Sequence, residues 1–140
     1  MTPPIKGFFG PYRWLSNFYP VEIEWEGLVY RSVEHAYQAA KFYDVDFRQY
    51  IQSFIKASNA KKAARLRSVR PDWQQVKLDI MYELTLRKFQ KEPLRSLLLA
   101  TENAYLEETN TWNDTFWGVC NGVGENNLGE ILMLVRHKLR

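Results

Sequence analysis

The apolar residues of this chain change their period near Arg31. Ahead of it, Val21, Ile23 and Trp25 alternate with Glu22, Glu24 and Glu26, the period of two that turns one strand face to a core and the other to water. After it, Val76, Ile80, Met81 and Leu84 recur at helical spacing, as do Leu128, Ile131, Leu132, Val135 and Leu139. Such a pattern predicts an α+β domain dominated by helices, with a small antiparallel hairpin near the N-terminus. Residues 5 to 31 read as extended, with Glu26-Gly27 turning the chain into Leu28-Val29-Tyr30. Ser32 can cap a helix running to about Tyr43. Further helices are expected from Ser58 to Ser68, from Asp72 as cap to about Gln90, from Pro93 through Ala100, and from about Asn127 to the end. Asn103 to Gly124 reads as irregular and partly extended. Without repeats or linker-like runs, residues 1–140 are expected to form a single domain.

Composition narrows the class. At 140 residues and 46% hydrophobic content, one core can form without disulfides or metals. The one cysteine, Cys120, excludes an intrachain disulfide and fits a reducing compartment. With two histidines and no Cys-x-x-Cys or His-Glu-x-x-His spacing, no metal is expected. The opening residues lack a secretory pattern, no stretch approaches a membrane span, and a cytoplasmic protein that does not enter a membrane is the default. Aromatic residues make up 15% of the chain, enough for some rings to line a concave, ligand-stacking surface.

The net charge of +3 is unevenly spread. Arg48 to Pro71 carries seven basic residues (Arg48, Lys56, Lys61, Lys62, Arg65, Arg67, Arg70) and no acidic one. Such a block reads first as a solvated helix face and second as an attractor of phosphate, on a small ligand or on a nucleic acid.

Three segments can carry chemistry. On the Ser32 helix, Glu34, Gln38 and Lys41 stand at i, i+4 and i+7 with Tyr37 beside them, so a carboxylate, an amide, an ammonium and a phenol share one face. Spacing alone favours a solvated face with a helix salt bridge; a wall for a polar ligand is the alternative. The segment Asn113 to Gly129 is rich in glycine and asparagine around Trp117, which suggests backbone amides turned toward a ligand or phosphate at the start of a helix; ordinary turn glycines are the plainer reading. Within Phe8 to Pro20, Asn17 can present its amide to a base or sugar, or satisfy a turn. No nucleophile elbow or phosphate-binding loop occurs. Glu34 and Asp114, set among aromatics and amides, suffice for glycosidic cleavage, because its transition state is an oxocarbenium-like cation.

Taken together, these segments resemble the NADAR, or YbiA-like, family. The likeness runs through WLSNFYP (Trp14 to Pro20), SVEHAYQAAKF (Ser32 to Phe42), the Ala/Lys/Arg-rich stretch from Ala57 to Arg67, Asp72-Trp73 leading to Met81, Lys88-Phe89, Leu94 to Thr101, Asp114 to Gly118, and Gly122 to Arg136. The resemblance implies an N-glycosidase that needs no cofactor. Its substrate would be a phosphorylated riboside of early riboflavin biosynthesis, cleaved to ribose 5-phosphate and a base. Alternatively it would remove ADP-ribose from guanine in nucleic acid or nucleotides, a polynucleotide being held by the basic segment from Arg48 to Arg70. A noncatalytic module binding ADP-ribose or an NAD-related nucleotide is the third reading. By position in the motifs, Glu34 takes the main acid/base role and Asp114 steers water or stabilises the cation. At least one of Trp73 and Trp117 is expected to stack on the base, and Asn17, Lys41 and Asn126, with Tyr37 on the same helix face as Glu34, to contact substrate. Oligomeric state is not legible.

Overall fold

The computed structural model describes residues 2–140. In chain order the elements are β1 (Ile5–Lys6), a 3-10 helix (Gly10–Leu15), β2 (Ile23–Trp25), β3 (Leu28–Tyr30), α1 (Val33–Ala40), α2 (Val45–Gln52) and α3 (Ala57–Ala64). They continue with α4 (Trp73–Phe89), α5 (Leu94–Ala100), β4 (Leu106–Glu107), β5 (Thr109–Asn110), β6 (Val119–Cys120) and α6 (Asn127–Leu139). The fold is α+β and rich in helix. The chain forms two compact units, residues 17–88 and residues 2–16 with 89–140.

In the unit formed by residues 17–88, β2 and β3 pair antiparallel in the register Ile23 to Tyr30 and Trp25 to Leu28. Glu26 and Gly27 both take positive φ, 46° and 87°, the two-residue turn whose twist matches that of the strands it joins. Ile23, Trp25 and Tyr30 face inward, as the alternation predicts. The expected extension of residues 5 to 31 is otherwise broken, since Gly10–Leu15 winds into a 3-10 helix whose Trp14 indole donates to the Pro11 carbonyl at 3.0 Å.

Ser32 caps α1 as expected, its hydroxyl accepting from the His35 amide at 3.1 Å. The same hydroxyl lies 2.7 Å from His35 Nδ1, while His35 Nε2 lies 2.8 Å from the Phe54 carbonyl. A carbonyl only accepts, so Nε2 carries the proton and Nδ1 accepts from Ser32. This pair ties the start of α1 to the turn after α2, and it leaves His35 buried and neutral. Burial, as the main cause, lowers the His35 pKa.

Helix α1 stops at Ala40 rather than Tyr43 because arginines take its last carbonyls. The Arg70 amide donates to the Lys41 carbonyl at 2.7 Å and its guanidinium to that of Ala40 at 3.4 Å; Arg48 Nε donates to the Phe42 carbonyl at 2.6 Å. Helix α2 was not expected from the sequence. Its cap, Asp44, accepts from the amides of Asp46 and Phe47. Helix α3 ends at Ala64, four residues short of the expected Ser68. Helix α4 runs nearly as predicted, with the Asp72 carbonyl accepting from the Val76 amide at 3.2 Å, and the Asp72 carboxylate engages Arg70 and Tyr43 (2.6, 2.9 and 2.9 Å). Arg70, as the main cause, brings the Asp72 pKa down to about 2.

In the other unit, β1 pairs parallel with β4, and β5 with β6, short parallel contacts beyond the single hairpin anticipated. Helices α5 and α6 pack together, and Leu128, Ile131, Leu132, Val135 and Leu139 are all buried on α6.

Two outcomes follow for α1. Ser32→Ala removes a cap and leaves the buried His35 Nδ1 without its donor, so urea denaturation is expected to show a loss of roughly 1–3 kcal/mol. Because the folded His35 pKa lies below its ordinary 6.5, the unfolded chain binds the extra proton as pH drops. The stability conferred by neutral His35 is therefore complete above 6.5 and declines as pH falls from there toward the folded value. The midpoint of thermal unfolding, followed by circular dichroism through that window, should decline less steeply in His35→Asn than in the parent.

Candidate active site

Every residue of α1 from Val33 to Ala40 is buried. That overturns the solvated-face reading: Glu34 is 7% exposed and Gln38 3%. The cause lies in the remaining residues of the helix. Ala36, Ala39 and Ala40 have no bulk, so α1 can be enclosed by α2, α3 and the β2–β3 hairpin.

Enclosure forces the polar side chains of α1 to find partners inside. Gln38 Nε2 donates to Glu34 Oε2 at 2.8 Å. The Glu34 backbone amide, an orphan donor of the first helical turn, donates to the Asn17 carbonyl at 3.0 Å. Asn17 Nδ2 reaches Met81 Sδ on α4 at 3.5 Å. The Tyr37 ring packs on Trp73, centroids 5.1 Å apart and planes at 55°, and the Lys41 ammonium lies 5.4 Å from the Tyr37 centroid. Asn17, Glu34, Tyr37, Lys41 and Trp73, scattered over the sequence, thus form one connected group, joined by Gln38.

The electrostatics of the group centre on Lys41. Burial lowers its pKa most, the Glu34 carboxylate raises it, and Lys61, Arg65 and Lys77 lower it as like charges. The basic segment therefore divides by role. Arg48 is buried, bound to Glu26 at 2.9 Å and stacked over Trp25; Arg67 binds Asp44 and lies over Phe47; Arg70 binds Asp72 and lies over Tyr43. These three build the fold, contrary to a uniformly solvated face. Lys61 and Arg65 instead add positive potential around Lys41. Among the described residues no three His, Cys, Asp or Glu side chains gather as metal ligands.

Asp114, Trp117 and Asn126 belong to the other unit. Asp114 Oδ1 accepts from the amides of Phe116 (3.2 Å) and Trp117 (2.9 Å). Asn110, which the sequence did not single out, supports that turn from beneath: its Oδ1 accepts from the Asp114 amide at 3.1 Å and its Nδ2 donates to the Asp114 carbonyl at 2.8 Å. Trp117 is half-buried, edge-on to Phe116 at 4.8 Å. Asn126 is buried and spends its amide on the protein. Its Nδ2 donates to the Leu106 carbonyl (2.9 Å) and to Tyr105 Oη (3.2 Å), and its Oδ1 accepts from the Glu108 amide (3.0 Å).

The glycine-rich run also differs from expectation. The amides of Asn126, Asn127 and Leu128, which would face an anion at the start of α6, donate to the carbonyls of Gly118, Phe116 and Trp117. Gly118 and Gly129 serve close backbone approach: a Cβ on either would sit 2.1 Å from a carbonyl oxygen, that of Glu108 or that of Leu106.

Comparison with known proteins decides the family, since the NADAR domain pattern matches residues 7–140, spanning both units. The chain belongs to the NADAR family. The N-glycosidase Npun_R5314 of Nostoc punctiforme is 39% identical over 137 residues, covering 93% of this chain and 87% of that protein. The N-glycosidase YbiA of Escherichia coli is 38% identical over 128 residues, covering 89% of this chain and 79% of that protein. The NMR structure of E. coli YbiA matches the fold at a TM-score of 0.88, with 35% identity, over 99% of this chain and 85% of the other. The riboflavin biosynthesis protein VVA0006 of Vibrio vulnificus is 39% identical over 150 residues; this chain aligns along its full length but spans only 40% of that protein. As a NADAR protein with such relatives, the chain is an enzyme, an N-glycosidase.

Gly129→Ala tests the packing role of the family's glycines. The added methyl meets the Leu106 carbonyl and the Asn126 side chain, and an overpacked site of this kind costs roughly 1–3 kcal/mol, to be read from the urea midpoint. For Asp114, replacement by Asn keeps one oxygen for the Phe116 and Trp117 amides while removing the charge. Asp114→Asn should thus hold its melting temperature near that of the parent while losing turnover, whereas Asp114→Ala should lose both.

Proposed function

We propose that this N-glycosidase hydrolyses the glycosidic bond of a phosphoribosylamino-pyrimidine, an early intermediate of riboflavin biosynthesis, with Glu34 as the base that activates water. The observation that carries the reading is the buried Glu34 carboxylate, held by the Gln38 amide at 2.8 Å within the group that contains Tyr37, Lys41 and Trp73. The riboflavin biosynthesis name of the Vibrio relative supports the substrate class. So does the positive potential around Lys41, to which Lys61, Arg65 and Lys77 contribute, because a ribose 5-phosphate is doubly anionic near neutrality.

In the proposed reaction, water attacks C1′ of the ribose and gives a proton to Glu34. The C1′–N bond breaks, its electron pair leaving with the base, which takes up a proton from solvent, while Glu34 returns the water's proton to solvent. Ribose 5-phosphate and the free aminopyrimidine result. Positive charge builds on the ribosyl ring in the transition state, where a carboxylate contributes most; Asp114 is assigned that role. Tyr37, Lys41, Trp73, Trp117 and Asn17 are assigned to substrate contact, and Asn126 to holding the loop that carries Trp117. Among the described residues no helix is long and apolar enough to cross a membrane, and the reaction is proposed for the cytoplasm.

Glu34→Gln keeps shape and removes ionisation. Release of ribose 5-phosphate by the purified variant should drop by about 10²–10⁴-fold with the fold intact; unchanged turnover would remove Glu34 from the mechanism. A second reading, removal of ADP-ribose from guanine in nucleic acid, draws on Lys56, Lys62 and Arg65, which stay exposed while the arginines around them are engaged. Salt separates the two. Contact with several phosphates makes activity on modified DNA fall steeply with ionic strength, and a small riboside gives a shallow slope.

A further inference from the structure

Gln38 leaves half of its amide unused. Its Nε2 holds Glu34, but its Oε1 is buried and meets no donor among the described residues, in a side chain only 3% exposed. A buried acceptor left in that condition costs about 1–3 kcal/mol, and native proteins keep few of them without a use. Two other buried oxygens share the condition, Tyr30 Oη and Thr85 Oγ1, but each is a hydroxyl that can turn its proton. The Gln38 oxygen is a pure acceptor on a side chain anchored to the residue read as the base.

Its orientation is chemically fixed. Flipping the amide would set Oε1 against the carboxylate, two acceptors face to face, unless Glu34 carried a proton. With Glu34 ionised, Nε2 must point at it, and Oε1 then stands on the other arm of the same planar amide. Gln38 cannot withdraw to relieve the oxygen, because α1 is enclosed by α2, α3 and the hairpin.

We propose that Gln38 is a positioning residue for hydrolysis, its Oε1 and the Glu34 carboxylate each accepting one hydrogen of the attacking water. Both protons of the water are then engaged, and a lone pair on its oxygen is left to face C1′. Glu34 takes one proton as the O–C1′ bond forms, and the hydrogen bond to Gln38 holds the other in place. The inference rests on the reading of Glu34 as the base.

The charged and titratable groups around this pair are fixed in number. On α1 itself they are His35, Tyr37 and, at its end, Lys41. The packed elements bring Asp46, Arg48 and Tyr50 on α2, Lys61 and Lys62 on α3 with Arg65 at its end, Glu24 on β2 and Tyr30 on β3, and Lys77 comes from α4. None of these changes in a Gln38 variant, so a shift in the pH profile reports on Glu34.

Gln38→Met fills the same volume without donor or acceptor. Losing a hydrogen bond to its charged form raises the Glu34 pKa. The acid limb of kcat/KM should move up by about one pH unit, and kcat on the phosphoribosylamino-pyrimidine should fall about 10–100-fold with KM little changed, the scale of a misplaced reactant. Gln38→Glu keeps an acceptor but adds a like charge. Its acid limb should move further up, with kcat on the alkaline side recovering above that of Gln38→Met. Melting temperatures certify folding, and should Gln38→Met not fold, Gln38→Glu carries the test alone. A folded variant with wild-type kcat and an unmoved acid limb overturns the proposal, as does a loss confined to KM. Glu34→Gln run beside them separates the two levels: turnover surviving in Glu34→Gln defeats the proposed base, whereas its loss beside a normal Gln38 variant defeats only the role of Gln38.

Discussion

Enclosing a helix on every side is the constraint from which the rest of the first unit follows. Helix α1 carries Glu34, His35, Tyr37 and Gln38 into surroundings with little water, where each unpaired polar group would cost as much as a good hydrogen bond contributes. The neighbours are organised around meeting those demands. Ser32 and the Phe54 carbonyl satisfy His35, Asn17 accepts from the first-turn amide, and Arg48 and Arg70 close the carbonyls at the far end. Alanines at positions 36, 39 and 40 make the close approach sterically feasible. A carboxylate embedded this way is held still and shielded from bulk solvent, which is what a general base requires and what an exposed glutamate lacks.

The second unit solves a similar problem with asparagines. Asn110 and Asn126 are buried, and each binds backbone on both its oxygen and its nitrogen, one beneath the Asp114 turn and the other between α6 and the β4 strand. An amide offers a donor and an acceptor in one plane without net charge, so it can pin two irregular segments where an ion would need a counter-ion. The glycines of this unit belong to the same device. They let carbonyl oxygens approach the backbone closely, and the loop carrying Trp117 is held by that contact.

Much of the fold was legible because its signals are local. The Glu26-Gly27 turn, the Ser32 cap, the start of α4 after Pro71 and the buried stripe of α6 each follow from a few neighbouring residues. Helix α2 was missed because its cap, Asp44, follows directly on Tyr43, where the preceding helix was expected to end. The helix ends drifted for a different reason. Ala40 is where α1 stops because Arg70, thirty residues on, occupies its carbonyls, and no window of local sequence contains that information.

For the site, the sequence by itself determined which side chains share a face: Glu34, Tyr37, Gln38 and Lys41 follow from the pitch of a helix. It also held the motif order that marks the NADAR family. Whether that face meets water or protein was decided only by tertiary packing, because exposure depends on what covers a helix and not on its period. The same holds for Arg48 and Arg70, which belong to a block that reads as solvated and instead serve as internal clamps, while Arg67 stays exposed in its pair with Asp44. Periodicity records which residues travel together, and packing assigns each of them a partner.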